Sequence, residues 1–121
     1  MPVIRRQIRM LAGAAALALC LTACSSGEEV FPGSWGSDAT GEPSLTIDDD
    51  SSFEGTDGCN HLSGQGTVSG DTFRFGNFVT TLKACEGVDQ WLAKADTAQV
   101  IDGDLVVYGQ DGEKIGTLAG E

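Results

Sequence analysis

Cys59, Asn60 and His61 stand side by side in the run GTDGCNHLSGQG, residues 55–66 of a 121-residue chain. A thiol, an amide and an imidazole are the groups of a cysteine nucleophile, its orienter and its base. Cysteine with histidine is also the donor pair of many zinc sites. His61 is the only histidine in the chain, so either chemistry would have to run through it.

Neither fits the spacing well. In an extended segment successive side chains alternate, so Asn60 would face away from Cys59 and His61. Catalytic groups of this kind normally converge from distant parts of a chain, and no second histidine is available. A structural zinc site needs four ligands, usually in closely spaced pairs. Here two cysteines and one histidine would need a carboxylate such as Asp57, and the pairs are missing. The glycines lack the Gly-Lys-Ser/Thr ending and following helix of a phosphate loop, and their surroundings are acidic. Asp48, Asp49 and Asp50 do not make a calcium loop, because the sixth position, where such a loop needs glycine, would be Phe53. No catalytic, metal or cofactor-binding residue is therefore expected. Gly55, Gly58, Gly64 and Gly66 read instead as a tight bend with close strand approach, Asn60 as support for its local turn, and His61 as a partly exposed surface residue.

The start of the chain reads as a targeting segment. Arg5, Arg6 and Arg9 make a positive stretch, followed by about 14 mostly apolar residues, 10–23. That is short of the roughly 20 residues needed to cross a bilayer. The run ends in Leu21-Thr22-Ala23-Cys24, which resembles the lipobox of bacterial lipoproteins. The resemblance implies cleavage before Cys24 and lipidation of its thiol. Several acyl chains hold a protein on a membrane where one binds only marginally. The expected organisation is a signal peptide over 1–23, a lipidated terminus with a polar tether over 24–33, and a single domain over 34–121. The mature protein is expected to be exported and lipid-anchored to the bacterial cell membrane, or to the outer membrane if the host has one.

Without residues 1–23, four positive charges face all 18 acidic residues, moving the formal net charge from −11 to −14. Such a chain repels nucleic acid and anionic head groups, so no nucleic-acid partner is expected. Of four cysteines, Cys20 leaves with the signal and Cys24 takes lipid. Cys59 and Cys85 remain, and in an oxidising compartment pairing is the default. Closing that loop, 26 residues apart, stabilises by roughly 3 kcal/mol on the chain-entropy estimate.

The elements that position these residues read as an all-β meander. Trp35 falls in a first short strand. Ser44, Leu45, Thr46 and Ile47 alternate polar and apolar, the pattern of a half-buried strand, and Asp48 to Ser51 turn into the next. Ser69-Gly70-Asp71 is a hairpin signal between extended stretches at 65–68 and 72–78. Phe73 and Phe75 share one face there and Arg74 takes the other. Residues 79–84 extend toward Cys85. Val88, Trp91, Leu92 and Ala95 then recur at i, i+3, i+4 and i+7, which predicts a short helix lying on the sheet, with Trp91 plugging the core. A hairpin through Asp102-Gly103-Asp104 and a last strand at 114–118 complete the fold. The expected class is α+β, mostly β: seven or eight antiparallel strands in a bent sheet or open-barrel meander, with one short helix.

Three runs together resemble the META domain: Gly58-Cys59-Asn60-His61-Leu62-Ser63-Gly64, then Thr67 to Gly76, then Thr80-Thr81-Leu82-Lys83-Ala84-Cys85. The residues that carry the resemblance are Gly58, Cys59, Asn60, Gly64, Ala84 and Cys85. Two departures stand out. The family's opening tryptophan and leucine pattern is Trp35-Gly36-Ser37 here, and the aromatic residue usual after the second glycine is Gly66. The resemblance implies an envelope protein linked to stress, motility or secretion, and carries no catalytic residues over. The expected function is a non-enzymatic, membrane-anchored binding or stress-protection module, its partner an envelope protein or a lipid. An alternative is a carrier or pilot-type lipoprotein, with a cleft lined by some of Phe53, Phe73, Phe75, Phe78 and Trp91. A thiol enzyme using Cys59 and His61 is the weakest reading.

Overall fold

The computed structural model describes residues 30–121. The signal segment, Cys20 and Cys24 lie outside the described residues. Ten strands follow in chain order: β1 Gly33–Gly36, β2 Ser44–Ile47, β3 Ser52–Thr56, β4 His61–Gln65, β5 Thr67–Ser69, β6 Thr72–Arg74, β7 Phe78–Thr80, β8 Thr97–Ile101, β9 Asp104–Tyr108 and β10 Lys114–Leu118. They form two five-stranded antiparallel sheets, ordered β1-β2-β3-β4-β7 and β10-β9-β8-β6-β5. The class is mostly β as expected, with two corrections.

The strand count is ten rather than seven or eight, because stretches that read as continuous are divided between the sheets. β4 and β5 are separated only by Gly66, yet β4 pairs with β3 and β7 while β5 pairs with β6. Residues 72–78, read as one strand, split into β6 and the start of β7. Gly66 is where the chain turns the corner: the Phe73 ring packs where a side chain at Gly66 would stand. The position where the family carries an aromatic residue is thus filled here by Phe73.

The expected helix is a single 3₁₀ turn, Trp91–Lys94. Gly87 takes φ 75° ahead of it, and Ala95 is already extended behind it. The apolar spacing that suggests two helical turns is met by one turn that gives way to extended backbone at Ala95. Leu92 and Ala95 still face inward, and Trp91 lies partly buried over Gly116.

One core fills the space between the sheets. Phe31, Phe53, Phe73 and Phe75 are all 3% exposed or less. With Phe78 they form a network of ring contacts at 5.1–6.2 Å, several of them edge-to-face, the arrangement that aromatic quadrupoles favour. Arg74, between Phe73 and Phe75, is exposed as the alternation requires. Phe31 and Gly33 fall in the range expected to be tether; the first is buried in the core and the second opens β1. Trp35 is buried and its indole N–H donates to the Phe31 carbonyl at 2.9 Å.

The sheets meet along a seam where Trp35 bridges Gly120 and the Gly36 N–H donates to the Ala119 carbonyl at 2.8 Å. The registers give the first sheet two ends. Gly33, Ile47, Ser52 and Gln65 lie at the end where the chain enters the domain; Gly36, Ser44, Thr56 and His61 lie at the other. Among the described residues no helix is long and apolar enough to cross a membrane.

Candidate functional site

The link from β3 to β4 builds the bend that carries Cys59, Asn60 and His61. Asp57, fully buried, organises it: its Oδ1 accepts the Cys59 N–H at 2.9 Å and the Asn60 N–H at 2.6 Å. The Thr56 hydroxyl accepts the Gly58 N–H at 3.0 Å and donates to the Asn60 carbonyl at 2.9 Å. Gly58 has φ 100° and packs against the Gly41 backbone, so a side chain there would be both strained and obstructed. Local turn support, expected of Asn60, falls in the structure to Asp57 and Thr56.

Asn60 reaches across the sheet instead. Its Oδ1 accepts the Lys83 N–H at 2.6 Å and the Thr81 hydroxyl at 2.9 Å, while its Nδ2 donates to the Lys83 carbonyl at 3.1 Å. Asn60 is 4% exposed. The Cys59–Cys85 disulfide spans 5.9 Å between Cα atoms, two residues beyond Lys83. Segment 81–85 is therefore fastened twice, once by an amide and once by a covalent bond.

The His61 side chain takes no part, although its backbone N–H donates to the Thr81 hydroxyl oxygen at 3.1 Å. That side chain is 60% exposed, with Glu54 4.0 Å away. It stands on the outer face, as read from the sequence, while Asn60 points inward. Gly58, Cys59, Asn60 and Cys85 are thus brought together, with the exposed Ala84 between the two fastened residues. Gly64 lies apart, where Phe53 and Phe78 pack across the strand with no room for a side chain. Among the described residues no group of three or more His, Cys, Asp or Glu could hold a metal ion.

A family model for the META domain matches residues 20–119. The chain belongs to the META domain family. Comparison with curated proteins and with solved structures gives no match. In this META domain the six residues that carry the resemblance fall into two structural groups. Gly58, Cys59, Asn60, Ala84 and Cys85 build or flank the double fastening; Gly64 admits the aromatic cluster.

Sequence reasoning missed Asp57, Thr81 and Lys83. An Asp two and three residues before the N–H groups that it accepts is a readable signal, which the neighbouring cysteine and histidine overshadowed. It also missed a groove of about 710 Å³ beside β7, walled by Gly76, Phe78 and Thr80 on one side and by Ala93, Asp96 and Ile115 on the other. Of the five aromatics offered as a cleft lining, Phe53, Phe73 and Phe75 are sealed in the core, and of the five only Phe78 reaches this groove.

Proposed function

We propose that this META domain is a membrane-anchored lipoprotein of the cell envelope that works as a non-enzymatic binding or stress-protection module. The observation that carries the reading is the use to which the reactive-looking residues are put. Cys59 is held in a disulfide, both polar atoms of the Asn60 side chain are occupied by Thr81 and Lys83, and His61 faces solvent on the other side of the strand. A thiolate nucleophile requires a free thiol beside a base. The lipobox at Cys24 supports the anchor, and the extracytoplasmic setting agrees with a disulfide.

Intact-mass analysis of protein purified from its host membranes tests this directly. The expected mass shows diacylated Cys24 and a two-dalton gain on reduction; a free, alkylatable Cys59 would overturn it. A Cys24→Ala variant should leave the membrane fraction. Pull-down through the intact lipoprotein then tests the binding role.

The carrier alternative draws on the groove beside β7 rather than on the aromatic core. Native mass spectrometry of host-purified protein would detect co-bound lipid.

A further inference from the structure

We infer that the free edge of β7 is a strand-addition site, taking an extended, basic peptide segment of a partner protein into the groove beside it. This rests on the reading of the domain as a binding module.

The register shows why the edge is available. The Thr81 N–H donates to the His61 carbonyl at 3.0 Å, and the pairings Leu62 with Thr80, Ser63 with Val79 and Gly64 with Phe78 continue the same ladder. In an antiparallel pair, hydrogen-bonded and non-hydrogen-bonded positions alternate. Thr81 and Val79 therefore face β4, the His61 N–H donating in return to the Thr81 hydroxyl at 3.1 Å, and the N–H and carbonyl groups of Phe78 and Thr80 point the opposite way. β4 is the only strand that pairs with β7 among the described residues. Those outward groups line the groove, whose far wall is Ala93, Ala95 and Ile115. An incoming strand would find backbone partners on β7 and apolar contacts with Phe78 and Ile115 on its inner face. Val79, 71% exposed on the outer face, would gain a cross-strand neighbour. Main-chain bonds supply affinity and alternate side-chain contacts supply selectivity in this mode of recognition.

Charge selects the occupant. The groove carries Asp96 and Asp111 against Lys94. Residues 30–121 hold four cations against sixteen carboxylates, a net of −12. A second copy with the same charge would be repelled, whereas a lysine- or arginine-bearing strand would be drawn in.

The probe is a fluorescein-labelled octapeptide of alternating lysine and valine, titrated against the disulfide-bonded domain by anisotropy and by ¹⁵N–¹H NMR. The expected result is saturable binding, with shifts and exchange protection at the Phe78 and Thr80 amides. Thr80→Pro removes one outward donor without touching the β4 ladder and should weaken binding at least tenfold. Two N-methylated peptides, one capped on every lysine amide and one on every valine amide, should differ by a similar factor, and this comparison needs no protein variant. An alternating glutamate–valine peptide should bind at least tenfold more weakly. Absence of binding, shifts confined to the His61 end, or equal affinities for the two methylated peptides would overturn the site. Equal binding of the acidic peptide would overturn the charge selection. Self-association lost in Thr80→Pro would assign the edge to a second copy and overturn the partner. Binding mapped elsewhere would sink this site while leaving the module reading intact; failure to recover any partner from membranes would sink the module reading alone.

Discussion

Asn60 holds both backbone groups of Lys83, accepting from its N–H at 2.6 Å and donating to its carbonyl at 3.1 Å. A side-chain amide here makes the paired contacts that a backbone residue would make one step further along the ladder. The β4–β7 pairing, which ends at Thr80, is extended by it to the edge of the disulfide.

Asn60→Ala would strand the Lys83 backbone and the Thr81 hydroxyl, and about 1–3 kcal/mol of stability should be lost. Asn60→Asp keeps the shape but removes the donor to the Lys83 carbonyl, and should fall within the same range. Urea unfolding of the disulfide-bonded protein measures both; a midpoint unchanged from wild type would mean that the clamp contributes nothing.

Reduction, or Cys59→Ser with Cys85→Ser, should cost roughly 3 kcal/mol for the 26-residue separation. Because the disulfide and Asn60 fasten the same segment, their losses should not add, and a double-mutant cycle should return a coupling of at least about 0.5 kcal/mol. Strict additivity would show that the two fastenings act independently.

His61→Ala should alter the unfolding free energy by no more than about 0.5 kcal/mol, since its side chain is exposed and its contact with Glu54 is long. A larger loss, or a loss of envelope phenotype, would bring the imidazole back as a functional group.

Gly66→Ala should cost about 1–3 kcal/mol, because the added methyl meets the Phe73 ring in a packed core. Thermal unfolding followed by near-ultraviolet circular dichroism tests it. A neutral result would mean that the corner can shift without disturbing the aromatic cluster.

The Ser52 hydroxyl and backbone N–H both bond the Asp50 carboxylate and hold its pKa below the ordinary aspartate value. A depressed folded-state pKa contributes stability that is present above the unfolded value and is lost as pH falls through the folded one. Asp50 is fully exposed, so the effect belongs to the turn rather than to the whole fold. Carboxyl NMR should find Asp50 titrating below the ordinary aspartate range, and returning toward it in Ser52→Ala.

Alternation made the strands legible: Leu45 and Ile47 face in, and Phe73 and Phe75 bury around an exposed Arg74. Hairpins announced themselves through Ser69-Gly70-Asp71 and Asp102-Gly103, whose left-handed residues Gly70, Asp102 and Gly103 the turns require. The division into two sheets was hidden, because the change of partner at Gly66 depends on where Phe73 packs, a contact that no local pattern carries. The helix was overread for a related reason: Val88, Trp91, Leu92 and Ala95 satisfy a helical stripe, but Gly87 and the approach to β8 leave room for one turn. At the bend, spacing pointed to Cys59 and Asn60 as structural and to His61 as a surface residue, yet it did not show which atoms meet. Asp57 serves the turn and Asn60 the distant strand, the reverse of what Asn60's type suggests. Whether a polar side chain bonds its own turn or a remote backbone is settled only by the tertiary fold.

The two ends of the first sheet give the molecule a direction. The chain enters beside Gly33 and the Asp48 to Ser51 turn, while the disulfide and the almost fully exposed Leu82 lie past the opposite ends of the same strands. Five residues of β4 span roughly 16 Å. That length is about twice the Debye length of about 8 Å at physiological salt, so exposed charge at the entry end is largely screened from the disulfide end.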